Sequence, residues 1–329
     1  MKRTLAIVIA LALLAFLLYR LACSRGGSGR PDEYVIDKSA HVSREDVQRF
    51  FKNVRIDSRE AAGRYFPESA ANSQTVRFFK SLQWKFREMG LEDHLKKVHD
   101  YLLSIMDPAR AEEMFAHYKK FSTYEQNLAG TVRGWKQPAT AEDALAYLRK
   151  LQDHRREFFG KELADALWGA EVKIQEYRFR KGGILHDESL TGAEKESKIS
   201  ALKGDMWGKE GEDAPDSFEK PFDRYTEKLQ MYSKDLEGME DARKSGKIRE
   251  FRKEFFDDEV IGRLENVDAE LAAEKLKEDD YRKKEFRIQG DVNLDAAEKE
   301  KQILELQNQT FGEEADAFRR RENIMKGSR

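Results

Sequence analysis

The histidines are the residues of this chain from which acid–base or metal chemistry would start. His94 and His99 form the closest pair in the sequence, and neutral imidazoles can bind metals or carry protons near neutral pH. A separation of five residues places two side chains on different sides of a helix, so we expect no shared metal ion there. The other four, at positions 41, 117, 154 and 186, lie far apart. The sequence therefore predicts no metal site and no catalytic histidine.

Other motifs of catalysis or cofactor binding are also missing from the sequence. It contains no Gly-rich phosphate loop, no Gly-x-Ser-x-Gly, no His-Glu-x-x-His and no Cys-x-x-Cys. The carboxylates occur in mixed runs such as EKLKEDD at 274–280, which is typical of a solvated helix face. We expect a protein that is not an enzyme, binds no cofactor and has no small-molecule substrate.

The composition favours helices that pack through narrow apolar stripes. Hydrophobic residues make up 40% of the chain and charged residues 37%, against roughly 25% charged residues in an ordinary globular domain. So little apolar material predicts thin, elongated helical packing rather than one thick core. The 60 basic and 62 acidic residues are interspersed and give a net charge of -2, which argues against a nucleic-acid partner.

The N-terminus carries a membrane-targeting pattern. Lys2 and Arg3 precede an apolar run over 5–18 that extends to Ala22, and two interpretations compete: a cleaved signal peptide or an uncleaved anchor. We favour a single-pass anchor over 1–22, with the rest of the chain across the membrane. A lipoprotein reading of Cys23 is weaker because Arg20 stands where such signals have an aliphatic residue. A Gly/Ser-rich linker over 23–40 follows.

The rest of the chain predicts long helices. Only six prolines occur, and four N-cap residues each precede a carboxylate by three positions. These pairs are Ser43 with Asp46, Thr140 with Asp143, Thr191 with Glu194 and Asp295 with Glu298.

One stripe of apolar residues advances by alternating steps of four and three. It consists of Phe218, Phe222, Tyr225, Leu229, Tyr232, Leu236 and Met239. Such a heptad seam predicts one long helix with a narrow apolar face. The face either packs within the chain or lines a partner-binding groove.

The sequence contains an internal duplication. The run FFGKE at 158–162 recurs as FFDDE at 255–259, 97 residues later, and LTGAEKE at 190–196 recurs as LDAAEKE at 294–300, 104 residues later. The pairs Tyr177-Arg178 and Tyr281-Arg282 share the second offset. The difference of seven residues is about two helical turns and preserves the buried face. We expect a repeated unit: a phenylalanine elbow, a long helix ending in a Tyr-Arg turn, a loop and a capped helix. The alternative is chance similarity.

We expect the repeated units to superpose, with Leu202 and Leu306, and likewise Ile199 and Ile303, at equivalent buried positions. Duplicated helical pairs without catalytic residues are typical of scaffolds and wrapping proteins, because each copy contributes similar surface.

This order of elements resembles the lipase-specific foldases, steric chaperones of secreted bacterial lipases. The resemblance covers roughly residues 75–329 and is strongest from Asp153 onward, through both elbows and both AEKE helix starts. It implies an all-α, elongated arrangement of two helical mini-domains joined by an extended helical arm. We assign mini-domain 1 to 41–135, the arm to 136–250 and mini-domain 2 to 251–329.

The family also carries a signature, Arg-x-x-Phe-Asp-Tyr-x-Leu-Ser-Ala, in its first mini-domain. The corresponding segment here is 75–84, in which only Phe78 and Leu82 match. Departures at the Arg, Asp, Tyr and Ser positions imply a divergent client. Candidate partner-binding residues are those of the signature segment and of the repeated Tyr-Arg pairs: Phe78, Phe79, Leu82, Tyr177, Arg178, Tyr281 and Arg282. Alternatively, the phenylalanines are core residues and the Tyr-Arg pairs brace their own helices.

The resemblance implies a chaperone on the periplasmic side of the inner membrane of a Gram-negative bacterium. Its folding client would be a secreted lipase or related hydrolase, bound without ATP or covalent chemistry. A competing hypothesis is a membrane-anchored structural or adaptor protein that self-associates through the heptad seam.

Overall fold

The structure is a computed structural model that describes residues 34–36, 42–51, 56–66, 71–208, 211 and 213–327. The predicted anchor at 1–22 and most of the linker lie outside these residues. Within the described residues, no helix combines the length and apolar content that crossing a membrane requires. All regular elements there are helical, so the prediction of an all-α fold is confirmed. The assignment of two mini-domains and an arm stays a prediction.

The chain divides into two compact units, one reaching Ser245 and the other starting at Gly246. The first unit contains α1 (Arg44–Phe51), α2 (Arg59–Tyr65), α3 (Thr75–Lys85), α4 (Leu91–Ile105), α5 (Pro108–Arg133), α6 (Ala141–Phe159), α7 (Lys161–Leu185), α8 (Gly192–Trp207), a 3-10 turn (Pro215–Phe218), α9 (Pro221–Met231) and α10 (Ser233–Glu237). Helix α11 (Asp241–Lys253) precedes α12 (Asp258–Gly290), α13 (Ala296–Phe311), a 3-10 turn (Gly312–Glu314) and α14 (Ala315–Gly327).

An aromatic cluster forms the centre of the first unit. The ring of Phe79 on α3 meets Tyr118 and Phe121 on α5, both at 5.3 Å between centroids. Tyr124, one turn further along α5, contacts Phe159 at 5.2 Å and Trp168 at 5.6 Å. Aromatic side chains bury much area per residue, which suits a chain with little apolar material.

Both predicted elbows exist. Helix α6 ends at Phe159, and Gly160, with a φ of 84°, turns the chain into α7. At the second elbow, Asp257 caps α12 by accepting a hydrogen bond from the N–H of Val260. Thr191 and Asp295 likewise accept hydrogen bonds from the N–H groups three residues on, so both predicted caps are confirmed.

The loops of the two hairpins, α7–α8 and α12–α13, make the same hydrogen bonds 104 residues apart. Lys195 Nζ donates to the carbonyl of Leu185 at 2.8 Å, and Lys299 Nζ donates to the carbonyl of Gln289 at 2.9 Å. Each lysine thereby satisfies a carbonyl at the end of the preceding helix.

The turn residues agree as well. Asp187 accepts from the N–H of Ser189, and Asp291 accepts from the N–H of Asn293, both at 2.9 Å. The two hairpins are therefore structural copies in their loops.

The two hairpins also share an aromatic contact at the base, the end away from the loop. Tyr177 meets Trp207 edge-on at 6.1 Å, and Tyr281 meets Phe311 at 5.2 Å in the corresponding place. Each second helix then ends at a glycine with a positive φ, 87° at Gly208 and 55° at Gly312.

Two details of the predicted repeat are wrong. Tyr177 and Tyr281 do not mark turns, since each lies inside its long helix, well before the helix end. The equivalent positions are also buried less than expected: Ile199 is buried, but Ile303, Leu202 and Leu306 are only half-buried. In a chain so rich in charge, the second helix of each hairpin keeps much of its surface in solvent.

The prediction of one long helix with a heptad seam is wrong. The segment is divided among the 3-10 turn at Pro215–Phe218, α9 and α10, with a break at Tyr232. Tyr225 and Leu236 are buried, whereas Phe222 is 57% exposed. The ring of Tyr232 lies against Gly192, where an added Cβ would come within 2.3 Å of it. The segment therefore packs against α8 and does not form the continuous seam that the sequence predicted.

A short strap, residues 34–36, is held against the first unit. The N–H of Val35 donates to both carboxylate oxygens of the buried Glu176, at 3.1 and 3.0 Å. The Arg180 guanidinium pairs with the same carboxylate at 2.9 Å, while Val35 and Ile36 are buried in the core. The buried charge of Glu176 is therefore paired and hydrogen-bonded, as a buried charge must be.

We expect Gly208→Ala and Gly312→Ala each to destabilise the hairpin that they end. Neither Cβ would meet an atom within 4 Å, so the cost is backbone strain at positive φ, about 1–3 kcal/mol. Gly204→Ala, inside α8 with equally open surroundings, is the matched control and should stabilise by about 0.5–1 kcal/mol. Urea denaturation of the three variants measures this. Equal effects at all three positions would contradict the assignment of strain to the helix ends.

Candidate functional site

The signature segment on α3 places its three predicted binding residues in the core. Phe78, Phe79 and Leu82 are 2%, 0% and 1% exposed. The ring of Phe78 meets Phe66 at 5.6 Å, in addition to the contacts of Phe79 with α5. This burial favours the core interpretation of the three residues, and direct contact with a partner stays a prediction.

The two predicted tyrosines are buried as well, and each hydroxyl donates to a carboxylate. The Tyr177 hydroxyl donates to Asp216 at 3.0 Å, and the Tyr281 hydroxyl donates to Glu285 at 2.9 Å. Burial, together with these carboxylates, raises the pKa of Tyr177, and it raises the pKa of Tyr281 to about 12. Both tyrosines therefore stay neutral hydrogen-bond donors over the physiological pH range.

The two predicted arginines are half-buried. The guanidinium of Arg178 lies over the ring of Phe50, 5.7 Å from its centroid. Arg282 pairs with Glu285 at 3.0 Å and with Glu278 at 3.5 Å, and also with Glu322 on α14. These contacts favour the bracing interpretation, particularly for Arg282.

Exposed apolar side chains lie at the end of the signature segment and just beyond it. Trp84, at the end of α3, is 64% exposed, and Leu91, at the start of α4, is 61% exposed. The Arg87 guanidinium covers the Trp84 ring at 4.4 Å. Aromatic and arginine side chains of this kind are typical anchors of protein interfaces.

A second exposed stretch lies on α12. Every residue from 266 to 277 is exposed, and the stretch includes Val267, Leu271 and Leu276. It falls within the part of α12 that contains the seven extra residues relative to α7. The insertion therefore adds about two turns of helix, exposed on most of its circumference and contacted by Arg252 of α11 at Asp268.

A cleft of about 240 Å³ adjoins the signature helix. Its lining includes Ser73, Gln74, Arg77, Lys80 and Glu171. The Oε1 atom of Gln74 is buried there without a hydrogen-bond partner among the described residues. Burial lowers the pKa of the Arg77 guanidinium, which donates to the carbonyl of Phe50. The cleft can accept a polar group of a partner chain.

His94 takes part in internal hydrogen bonding. Its Nδ1 atom lies 3.0 Å from the carbonyl oxygen of Phe86, and its ring stacks on Tyr118. Over the described residues, no three His, Cys, Asp or Glu side chains are grouped so that they could hold a metal ion. The interpretation of His94 as a helix residue rather than a ligand agrees with these contacts.

A comparison with protein families matches residues 118–316 to the family described as proteobacterial lipase chaperone protein. This stretch is more than half of the chain. The chain belongs to the proteobacterial lipase chaperone family. A lipase chaperone is a folding helper and not a catalyst, so the expectation that the chain is not an enzyme is confirmed by this membership.

A related lipase chaperone comes from Chromobacterium violaceum and is 21% identical to this chain over 197 residues. The match covers 60% of this chain and 61% of that relative, which is less than two thirds of the relative's length. The family match includes both elbows and both hairpins, which carried the resemblance in the sequence. The signature segment at 75–84 lies before the matched residues.

The exposure of these apolar residues was not predicted from the sequence, although the sequence contains one signal for it. Phe79 and Trp84 are five positions apart on α3 and so lie about 140° apart around the helix. A buried Phe79 therefore directs Trp84 toward solvent. For Val267 and Leu271 the sequence held no comparable signal, because exposure there depends on which helices lie nearby.

The pKa of Glu125 yields a prediction for the α3–α5 contact. Burial raises this pKa, and Gln83 donates to the carboxylate at 2.6 Å. The folded pKa of Glu125 lies above its unfolded value. The contribution of Glu125 to stability is therefore fully present below about pH 4.3, the ordinary glutamate pKa, and it is lost as the pH rises through the folded pKa. We expect Glu125→Gln to remove this loss, because its amide oxygen still accepts from Gln83. Urea midpoints at pH 4 and pH 7 measure the difference, with exposed Glu305→Gln as the control. If Glu125→Gln loses as much stability between pH 4 and pH 7 as the natural chain does, the assignment of this loss to Glu125 is wrong.

Proposed function

We propose that this chain is a membrane-anchored chaperone on the periplasmic side of the inner membrane, where it helps a secreted lipase or related hydrolase to fold. Family membership over residues 118–316 is the observation that carries the proposal. The predicted anchor and the positive residues Lys2 and Arg3 support the location.

The proposed action is binding alone, without ATP and without covalent chemistry. A protein lowers a folding barrier when it binds the client's transition state more tightly than the state that precedes it, since only this difference in affinity changes the height of the barrier. The helices hold their own shape through local caps and aromatic contacts. They can therefore present a preformed surface to a partly folded client.

The exposed apolar residues support this mode of action. Trp84 and Leu91 in the first unit, and Val267 and Leu271 in the second, are exposed and have charged neighbours in the sequence. Scattered anchors of this kind give a large interface of moderate affinity, because charged surroundings stay solvated when the client leaves. A chaperone needs such an interface in order to release its product.

The competing adaptor hypothesis loses its main support. It depended on a continuous heptad seam, and the seam is divided between α9 and α10, with Tyr225 and Leu236 already buried within the chain. We therefore do not adopt self-association as the function.

Substitution of a buried and an exposed aromatic residue on α3 tests the proposal. Phe79→Ala should lower the free energy of unfolding by about 3–5 kcal/mol, since it removes a fully buried ring. We expect it to lower the yield of active lipase as well. Trp84→Ala should change stability by less than about 0.5 kcal/mol but still lower the yield. The measurement combines thermal melting of the chaperone with recovery of lipase activity when a denatured candidate lipase is refolded with the full chain.

Phe222→Ala serves as the matched control, because Phe222 is a similarly exposed aromatic residue on α9. If Trp84→Ala restores lipase activity normally and Phe222→Ala restores it poorly, the binding surface lies at α9, where the sequence predicted the heptad seam, and not at α3. If the unsubstituted chain rescues no candidate lipase, the proposed function is wrong.

A reporter fused to the C-terminus tests the location. We expect a reporter that is active only outside the cytoplasm to be active in this fusion, and the fusion to remain in the membrane fraction. Recovery of a soluble form that begins near Arg25 would show that the leader is cleaved and would refute the anchor.

A further inference from the structure

The side-chain oxygen of Gln74 is an unused hydrogen-bond acceptor in the lining of the cleft beside α3. Gln74 is 1% exposed, and within the described part of the chain no group donates to its Oε1 atom. A buried acceptor without a donor costs free energy, because it has lost its hydrogen bond to water and has gained no other. The oxygen therefore marks a place for a donor that comes from outside the chain.

The neighbouring hydrogen bonds fix which end of the Gln74 amide is the free oxygen. A carboxylate can only accept, and Oδ1 of Asp46 takes the proton of the Ser73 hydroxyl at 2.7 Å. The Ser73 oxygen is then left to accept from Nε2 of Gln74 at 3.3 Å. An inverted amide would place its oxygen against a hydroxyl that has no proton left to donate. The nitrogen of Gln74 therefore faces Ser73, and its oxygen is the unpaired end.

Three helices of the first unit form the cleft, which has a volume of about 240 Å³. Its lining includes Asp46 and Phe50 from α1, Arg77 and Lys80 from α3, and Glu171 from α7. Pockets for drug-sized molecules are larger, roughly 300–1,000 Å³. The volume therefore fits one side chain that another protein chain presents.

Two charged groups of the lining are also available to an occupant. Over the described residues, neither Glu171 nor Lys80 forms a hydrogen bond or an ion pair. Arg77 is already engaged, because its guanidinium donates to the carbonyl of Phe50 and lies 5.1 Å from the centroid of the Phe50 ring. The cleft thus offers two acceptors, the Gln74 oxygen and the Glu171 carboxylate, and one donor, the ammonium of Lys80.

This set of groups matches a primary carboxamide. A carboxamide has two N–H donors for the two acceptors and one carbonyl oxygen for the lysine. A carboxylate would lie against Gln74 Oε1 and the like charge of Glu171. An ammonium or guanidinium would lie beside the like charges of Arg77 and Lys80. Burial lowers the pKa of Arg77 and the Glu171 charge raises it, so the attraction of Glu171 is already partly used. A neutral group avoids both repulsions.

We propose that this cleft binds the side-chain amide of an asparagine or glutamine, with Gln74 and Glu171 accepting from its nitrogen and Lys80 donating to its oxygen. The assignment of that side chain to the lipase client rests on the proposed function. The free chaperone keeps an unpaired acceptor, and the client supplies the donor. Gln74 thereby selects the client residue, because a methyl group or a carboxylate in place of the amide leaves the buried oxygen unpaired.

Saturation-transfer NMR on the full chain in detergent micelles measures the site directly. The probe is N-acetylglutamine N′-methylamide, and three comparison compounds carry glutamate, lysine or methionine instead, so that only the side chain differs. We expect saturable binding of the glutamine probe and at least about tenfold weaker binding of the other three. Absence of saturable binding by the glutamine probe, or equal binding by any comparison compound, would overturn the carboxamide site.

Gln74→Leu separates a binding role from a structural one. It removes the unpaired oxygen and nearly keeps the size of the side chain, so we expect it to melt at or above the temperature of the natural chain. Binding of the probe should weaken at least about tenfold. Gln309→Leu, at an exposed glutamine of α13, is the matched control and should change neither quantity. Unchanged binding of the probe by Gln74→Leu shows that the cleft does not use this oxygen and refutes the proposal.

A lower melting temperature of Gln74→Leu would leave its binding result open to a structural explanation, and Lys80→Met then decides. Lys80 is exposed, so its replacement leaves the core intact. Weaker binding of the probe by Lys80→Met supports the site. Binding equal to that of the natural chain refutes it.

Recovery of lipase activity on refolding identifies the source of the amide. We expect Gln74→Leu and Lys80→Met to lower the yield of active lipase, and Gln309→Leu to match the natural chain. If the natural chain rescues a lipase and Gln74→Leu rescues it equally, the cleft does not hold the client, and the chaperone function stands. If the natural chain rescues none, the proposed function and the client assignment fail together, and the probe titration alone decides whether the cleft binds an amide.

Discussion

One buried tyrosine closes each hairpin of this protein. Tyr177 and Tyr281 lie at equivalent positions, and each makes an edge-on contact with an aromatic ring of the following helix and donates its hydroxyl to a carboxylate. Since 37% of the residues are charged, apolar burial has to be concentrated at few points, and an aromatic ring buries more area than any aliphatic side chain. The hydroxyl must then find a partner, because an unpaired buried hydroxyl costs free energy. Asp216, in the 3-10 turn, and Glu285, one turn further along α12, meet this requirement.

Local signals in the sequence predicted much of the fold. Caps such as Thr191 and Asp295, and the elbow glycine at 160, act through groups within a few residues, so their effect is visible without the rest of the chain. The repeat was visible for the same reason, as two offsets that differ by two helical turns. The Tyr-Arg turn and the heptad seam were wrong because each depends on distant packing. The break at Tyr232 arises from the close approach of its ring to Gly192 on another helix, which no periodicity reveals.

The candidate site could be predicted less well than the fold. Aromatic residues such as those of the signature segment are typical of interfaces, yet cores favour them equally. Phe79 and Trp84 share one helix and differ completely in exposure. The two copies within the chain differ in burial as well: Ile199 is buried, whereas its counterpart Ile303 is half-buried. Internal repeats thus supply a reference state that a single copy lacks.

The buried strap limits the distance between the predicted anchor and the first unit. Because Val35 and Ile36 are buried and the N–H of Val35 binds Glu176, the first unit begins in effect at residue 34, close to the end of the predicted anchor. The intervening residues 23–33, even at the full contour of about 3.3–3.6 Å per residue, reach less than about 40 Å. In the proposed membrane-anchored chaperone, the first unit would therefore lie within about 40 Å of the bilayer surface, and the proposed client would be bound there rather than deep in the surrounding compartment.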